Sequence, residues 1–315
     1  MVLWENTFWT LFYIFLFILG ILVTENLIRS ALHKRVEIIP EPVPREGDGL
    51  IFAGHATILF KLAGTVVLTD PSLTSNYFFF FRRFHTLGLR LEDLSKVDIV
   101  VISHSHADHN HPASLRLLAR HNKQLTLIVP QGYGKKYKYE KRYGFAQVIQ
   151  VRQYQSVHVK NLVVTNVPAD HFYSPNASGW IFEKDSLVPS KSVKTIYFAG
   201  DTAYNQRMFQ DIGSRFNIDI AFLPIGCFEG RMFFGLLRPS FARVHMSPRD
   251  LSRAISDLHC KRVIPIHWGT FIIGCEGPNV APTLLKKLQN SREVPSNVQL
   301  VTPGRWQNLD LLISR

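Results

Sequence analysis

Cysteine is scarce: Cys227, Cys260 and Cys275 are all that the 315 residues contain. An odd count without knuckle spacing gives no thiolate metal site and does not read as a disulfide framework. Acidic side chains are also short, 24 Asp plus Glu against 36 Lys plus Arg, for a formal net charge of +12. That deficit favours anionic partners: lipid headgroups, phosphorylated substrates or nucleic acid. Charged residues are only 19% of the chain and hydrophobic ones 46%. Wholesale disorder is therefore excluded, and a sizeable core can form. No internal repeat or long low-complexity tract is present.

Basic residues are missing ahead of the first apolar run. From Phe8 to Val23 only Thr10 and Gly20 interrupt it. Extended to Thr7–Leu27, the segment would rise roughly 30 Å as a helix, about one hydrocarbon thickness. Trp4 and Trp9 suit an interfacial belt; Arg29, Lys34 and Arg35 follow the run, whereas Glu5 alone precedes it. The positive-inside bias then turns the rest of the chain toward the cytoplasm. A cleaved signal peptide fits poorly, lacking a basic n-region and an A-x-A-like cleavage site. A docked or interfacial helix is the other alternative. The expected organisation is a single-pass membrane anchor with basic flank at 1–35, a linker at 36–48 and one large folded domain at 49–315. Pro40, Pro42 and Pro44 make that linker an extended, semi-rigid spacer.

Beyond the linker, short β-rich runs alternate with amphipathic ones. Ile58–Leu62 and Thr65–Thr69 flank Gly64 as a hairpin, and Val97–Ser103 is a buried strand running into a histidine-rich turn. Pro112 opens a helix with Leu115, Leu118 and Ala119 on one face. Leu125–Val129, Gln147–Val151, Leu162–Val167, Thr195–Ala199, Ile218–Leu223 and Arg262–Ile266 are further strands. Ser247 is a candidate N-cap, with Leu251, Ala254, Ile255 and Leu258 as the buried stripe behind it. Polar residues recur at strand ends, so one layered α/β domain carrying its chemistry on loops is expected.

The sharpest motif is Ser103-His104-Ser105-His106-Ala107-Asp108-His109. Chance would place H-x-H-x-D-H in roughly one chain per thousand of this composition. Imidazole nitrogens and carboxylate oxygens are ligands that zinc accepts, as do iron and manganese. Alternate residues on an extended loop point the same way, so His104 and His106 can share one metal while Asp108 and His109 turn toward a second. Three strand-end residues can complete the coordination: His171 after Pro168-Ala169-Asp170, Asp201 in Gly200-Asp201-Thr202, and His267 in Ile266-His267-Trp268-Gly269.

The whole series resembles the metallo-β-lactamase superfamily. That resemblance implies a four-layer αββα sandwich with two metals between the sheets, taken here as two Zn2+. It puts His104, His106 and His171 on the first metal, Asp108, His109 and His267 on the second, and Asp201 across both. Gly54-His55-Ala56-Thr57, Leu68-Thr69-Asp70-Pro71, Leu223-Pro224-Ile225-Gly226 and Ile266-His267-Trp268-Gly269-Thr270-Phe271 narrow the likeness. Over roughly Gly49–Gly274 the chain is similar to the N-acyl-phosphatidylethanolamine-hydrolysing phospholipase D branch. His245, in Val244-His245-Met246-Ser247-Pro248, stands where that branch has an active-site histidine, and the Arg238–Arg243 stretch before it is long. Asp108 and His245 are the candidate catalytic residues; His245 either steadies a phosphate and assists proton transfer or aligns a ligand. Asp70 is expected to orient ligands, and His55 to do so or to line the entrance.

Two metals about 3.5–4 Å apart polarise a phosphoryl oxygen and activate water for attack on phosphorus. The expected partners are a phospholipid substrate and a membrane. Basic, Tyr-rich Tyr133–Tyr143 suits a headgroup surface, nucleic acid or a solvated face. Arg231, Met232, Phe233, Phe234, Leu236 and Leu237 could part acyl chains or fold onto the core. Three rivals stand beside lipid hydrolysis. One is a hydrolase of a soluble phosphorylated sugar lactone or other small ester. A nuclease is disfavoured, because about 44 residues from Asp201 to His245 leave no room for an inserted domain. The last is a membrane-tethered binding protein, disfavoured because all seven ligand positions hold competent residues. The oligomeric state is open, a homodimer included.

Overall fold

The computed structural model describes residues 2–77, 81–133, 142–172, 174, 176–187, 193–271 and 276–314. Lys135, Lys136, Lys138, Lys141, Tyr137 and Tyr139 of the basic cluster lie outside the described residues, as does Cys275. Tyr133 and Tyr143, at its ends, are buried core residues.

Two sheets form the frame. The first joins β1 (Gly49–Gly54), β2 (Thr57–Leu62), β3 (Thr65–Thr69), β6 (Ile99–Val101), β7 (Thr126–Pro130), β8 (Gln147–Val151) and β15 (Trp306–Asn308) in the order β15-β1-β2-β3-β6-β7-β8. The short pair β4 (Asn76–Tyr77) and β5 (Phe81–Arg82) stands apart. The second sheet joins β9 (Ser156–Val159), β10 (Leu162–Pro168), β11 (Ser178–Lys184), β12 (Thr195–Phe198), β13 (Ile220–Pro224) and β14 (Arg262–Ile266) in the order β14-β13-β12-β11-β10-β9. In each, an antiparallel meander passes into parallel strands: β3 pairs in parallel with β6, and β12 with β13.

Leu50, Phe52, Phe60, Trp180, Phe182 and Phe222 pack between the sheets. Outside the first sheet lies α2 (Pro112–His121), burying Leu115, Leu118 and Ala119 as its spacing predicts. Outside the second lie α3 (Gln206–Arg215), α4 (Leu251–Leu258) and α5 (Val280–Asn290). These are the four layers of an αββα sandwich. Ser247 and Asp250 form a capping box around a 3-10 turn at Pro248–Asp250. In α4 behind it Leu251, Ala254 and Leu258 are buried, while Ile255 is only partly so. A last helix, α6 (Leu309–Ser314), closes the sandwich edge with Leu309 and Leu312.

The N-terminal helix α1 runs Val2–Leu32, and its segment Thr7–Leu32 is long and apolar enough to cross a membrane. Phe8, Leu11, Phe15 and Phe17 are exposed along it, whereas Glu25, Asn26 and Ser30 are buried where it meets β5 and the turn Phe233–Gly235. Pro40, Pro42 and Pro44 lie outside helix and strand, and their segment is pinned down. Val36 bridges His85, Ile38 N–H donates to Thr86 Oγ1 at 2.7 Å, and Glu41 pairs with Arg305 at 2.6 Å.

One cysteine expectation is corrected. Cys227 is disulfide-bonded, while Cys260 is free and buried. An odd count does not exclude a bridge. Spacing along the chain cannot show which side chains the fold brings together.

Candidate metal centre

Strand ends deliver the site. The segment after β6 carries Ser103 and His104, that after β3 carries Asp70, and the β1–β2 turn carries His55. In the second sheet His171 follows β10, Asp201 follows β12 and His267 follows β14. Alternation along the meanders makes these the same edge of both sheets, the carboxyl end of the parallel strands. His55, Asp70 and His267 have φ of 60°, 31° and 58°, a strained backbone region for such residues. At Gly200, φ is +63° and a Cβ would sit 2.6 Å from Ser103 Cβ, so a side chain is excluded where the two sheets meet.

The ligand-type atoms converge. Those of His104, His106 and His171 lie within 4.8 Å of one another, as do those of His55, Asp108, His109 and His267. Asp201 stands between the two sets: its Oδ2 is 3.1 Å from both His109 Nε2 and His267 Nε2 and 3.7 Å from His245 Nδ1. His171 Nε2 and His106 Nδ1 are 3.1 Å apart. The His245 ring stacks on His267 at 5.1 Å and meets His171 edge-on at 5.2 Å.

Hydrogen bonds behind these atoms set which nitrogen faces inward. Ser103 Oγ donates to Asp70 Oδ2 at 2.5 Å and so accepts from His104 Nδ1–H at 2.9 Å. His109 Nδ1–H donates to Asp70 Oδ2 at 2.7 Å, and His171 Nδ1–H to the Val244 carbonyl at 3.0 Å. Each ring is left with an Nε2 lone pair directed at the cluster, the tautomer a metal requires.

Charge favours a cation there. Burial would push His109 down, yet Asp201, Asp108 and Asp70 hold it well above its ordinary value. Burial would raise Asp201, but His109 and His267 keep it well below the carboxylate range. Among the described residues His104 Nε2, His109 Nε2, His267 Nε2 and Asp201 Oδ1 are buried without a hydrogen-bond partner. Buried polar atoms ordinarily have partners. Four orphaned lone-pair donors aimed at one space fit metal ions, and His with carboxylate fits zinc, iron or manganese.

All seven residues expected as ligands, and His245, are therefore brought together. His55 is inside the site, its Nε2 3.0 Å from Asp108 Oδ2, rather than at an entrance. Asp70 takes the orienting position expected of it. Three supports were missed: Ser103 between Asp70 and His104, Thr270 whose Oγ1 accepts from His55 N–H at 2.5 Å, and buried Arg83. Arg83 donates to the Ser72 and Ala53 carbonyls, both at 2.8 Å, tying the loops of Asp70 and His55 together. Adjacency to the motif could have found Ser103; nothing in sequence marks Arg83.

Comparison with known proteins agrees with this geometry. Residues 65–268 match the model of the beta-lactamase superfamily domain. The chain is 29% identical over 271 residues to N-acyl-phosphatidylethanolamine-hydrolyzing phospholipase D 1 of Caenorhabditis elegans, covering 79% of this chain and 72% of that one. It is 28% identical over 258 residues to a metal-dependent hydrolase of Bacillus mycoides, covering 76% and 92%. Among solved structures it resembles Igni18, a metallo hydrolase of Ignicoccus hospitalis, with a TM-score of 0.59 and 23% identity over 82% of this chain and 97% of that one. Family, fold and donor set together support a metal-dependent hydrolase. The chain belongs to the beta-lactamase superfamily.

Proposed function

We propose that the protein is a membrane-anchored phosphodiesterase that hydrolyses N-acyl-phosphatidylethanolamine-type phospholipids to phosphatidic acid and N-acylethanolamine. In this reading His104, His106 and His171 hold one zinc ion, Asp108, His109 and His267 a second, and Asp201 serves both. When bound, such a metal pair supplies Lewis acidity and lowers the pKa of water. The protein's own part is positional. Asp70, Ser103 and the Val244 carbonyl fix the imidazole tautomers. His55 braces Asp108. Burial holds His245 at a pKa of about 3, so it meets the phosphate as a neutral imidazole and steadies it with one hydrogen bond.

One observation carries the lipid reading. The apolar helix α1 docks on the turn Phe233–Gly235, and that same segment runs on to His245. Leu236 is 91% exposed and Leu237 51% exposed there, apolar side chains suited to a bilayer surface. The 29% relative adds weight from an independent direction. Nucleic acid remains the disfavoured partner.

The basic flank of α1 turns the domain toward the cytoplasm, whereas the bridged Cys227 suits an oxidising compartment. Alkylation of a cysteine introduced at an exposed position, Leu311→Cys, in intact and in permeabilised cells decides the side.

The test is hydrolysis of N-acyl-phosphatidylethanolamine by full-length protein in liposomes, with and without chelator, with products read by mass spectrometry. Chelator-sensitive release of both products, absent in Asp201→Asn, supports the reading. A metal-loaded protein that leaves the lipid intact but cleaves a soluble ester would favour the small-substrate alternative, which the Bacillus mycoides relative keeps in view.

A further inference from the structure

Between α1 and the segment leading to His245 lies a cavity of about 310 Å³, walled by Leu19, Leu22 and Val23 on the helix and by Met232 and Phe241 opposite. Arg29 and Arg231 line it and also line an adjoining cavity of about 340 Å³, whose other walls include Phe84 and Pro278. Each volume lies in the range of small-molecule sites, roughly 300–1,000 Å³. The two spaces meet at the arginines, so an apolar end adjoins a cationic one.

The charges there are unequal. Arg29 is ion-paired with buried Glu25, one turn away on α1. Arg231 has no carboxylate partner among the described residues, and its Nε is buried without a hydrogen bond. In the second cavity Glu276 is committed to the backbone, accepting from Cys227 N–H at 2.5 Å and Glu229 N–H at 3.4 Å. Arg231 thus makes no direct ion pair beside the apolar slot, although Glu25 and Glu276 also line the two cavities. The wall at Leu19, Leu22 and Val23 belongs to the segment read as crossing the membrane, where the surrounding solvent is lipid.

We infer that this seam is a binding site for one anionic membrane phospholipid, its acyl chain against Leu22 and Met232 and its phosphate on Arg231. The inference rests on α1 being a membrane anchor, and it concerns a site apart from the metal ligands. Phe84 N–H donates to the Thr270 carbonyl at 2.8 Å, and Gly269 lies against the Pro278 carbonyl. The seam's inner wall is therefore continuous with the turn that carries His267. A seated lipid would buttress that turn.

The experiment uses full-length protein in nanodiscs of phosphatidylcholine with phosphatidylglycerol, released for native mass spectrometry, so that retention is read without turnover. About one phosphatidylglycerol per chain is expected to survive release. Arg231→Gln should lower its retention about tenfold, the loss of one charge-assisted phosphate contact. Leu22→Trp, filling the slot and leaving the arginine in place, should lower it as well. Equal retention of both lipids, or unchanged retention in both variants, would overturn the site. So would displacement by inorganic phosphate, which would mark a free-anion pocket instead. A chain that does not enter nanodiscs overturns the anchor and the seam together. A chain that retains the lipid but does not hydrolyse N-acyl-phosphatidylethanolamine overturns only the proposed reaction.

Discussion

Asp70 accepts a hydrogen bond from His109 Nδ1 at 2.7 Å, with both side chains wholly buried. The same carboxylate accepts from Ser103 N–H at 2.7 Å and from Ser103 Oγ at 2.5 Å. One acid therefore orients His109 directly and His104 through Ser103. Asp70→Asn offers an amide where two donors need an acceptor. Metal affinity should fall about 10–100-fold, as for other groups that hold a ligand in place. Chelator-competition titration checks this, and undiminished affinity would remove Asp70 from the role.

Asp201 is the acid proposed to serve both ligand sets, its Oδ2 lying 3.1 Å from His109 Nε2 and His267 Nε2. Asp201→Asn should lower bound metal from two ions toward one and reduce turnover by about 10³-fold or more. Elemental analysis after gel filtration gives the stoichiometry. Full loading with normal turnover is the result the proposed ligand set cannot accommodate.

His85 lies outside the ligand cluster and offers a pH test. Burial, with Arg83 nearby, lowers its pKa to about 4, and its Nδ1–H donates to the Thr86 carbonyl at 2.6 Å. A base depressed on folding is neutral in the native state and takes up a proton on unfolding between about 4 and its ordinary 6.5. Its contribution is complete above 6.5 and is lost as pH falls through that window, at most about 3 kcal/mol. Melting temperatures of wild type and His85→Gln from pH 7.5 to 4.5 should converge on acidification. Parallel curves would count against the assignment.

Gly200→Ala tests the junction of the two sheets. A methyl group there meets Ser103 Cβ at 2.6 Å and must also accept φ +63°. Destabilisation of about 1–3 kcal/mol is expected, with Ser103 displaced from His104. Chemical denaturation measures the first effect and metal affinity the second. A variant with wild-type values in both would show that the loop can relax.

Much of the metal centre was legible because its residues are chemically uncommon and cluster at strand ends. The H-x-H-x-D-H run needs no tertiary knowledge to be noticed, and Arg262–Ile266 is observed with the expected bounds. What escaped notice depends on contacts between distant segments. Strand β1, Gly-Leu-Ile-Phe-Ala-Gly, is apolar throughout and buried on both faces, so no alternation announces it. Helix α3 buries only Phe209 and Ile212 in a polar ten-residue run, too few for a clear period. Arg83 follows an aromatic run and reads as a surface cation, yet it is 1% exposed because two carbonyls and the Phe271 ring enclose it. The basic cluster near Tyr133 invited a surface reading, while its flanking tyrosines are core.

The pinned proline segment has a kinetic meaning. With Ile38 held by Thr86 and Glu41 by Arg305, the neck between helix and domain has little slack. A slack tether would let the domain sweep a hemisphere and dilute its encounters with the bilayer as the tether lengthened. On the anchored reading proposed above, a stapled neck would fix the height and heading of the domain over the bilayer. For the lipid substrate proposed above, encounter frequency would then follow the areal density of lipid and its lateral diffusion, and the volume concentration of substrate would drop out.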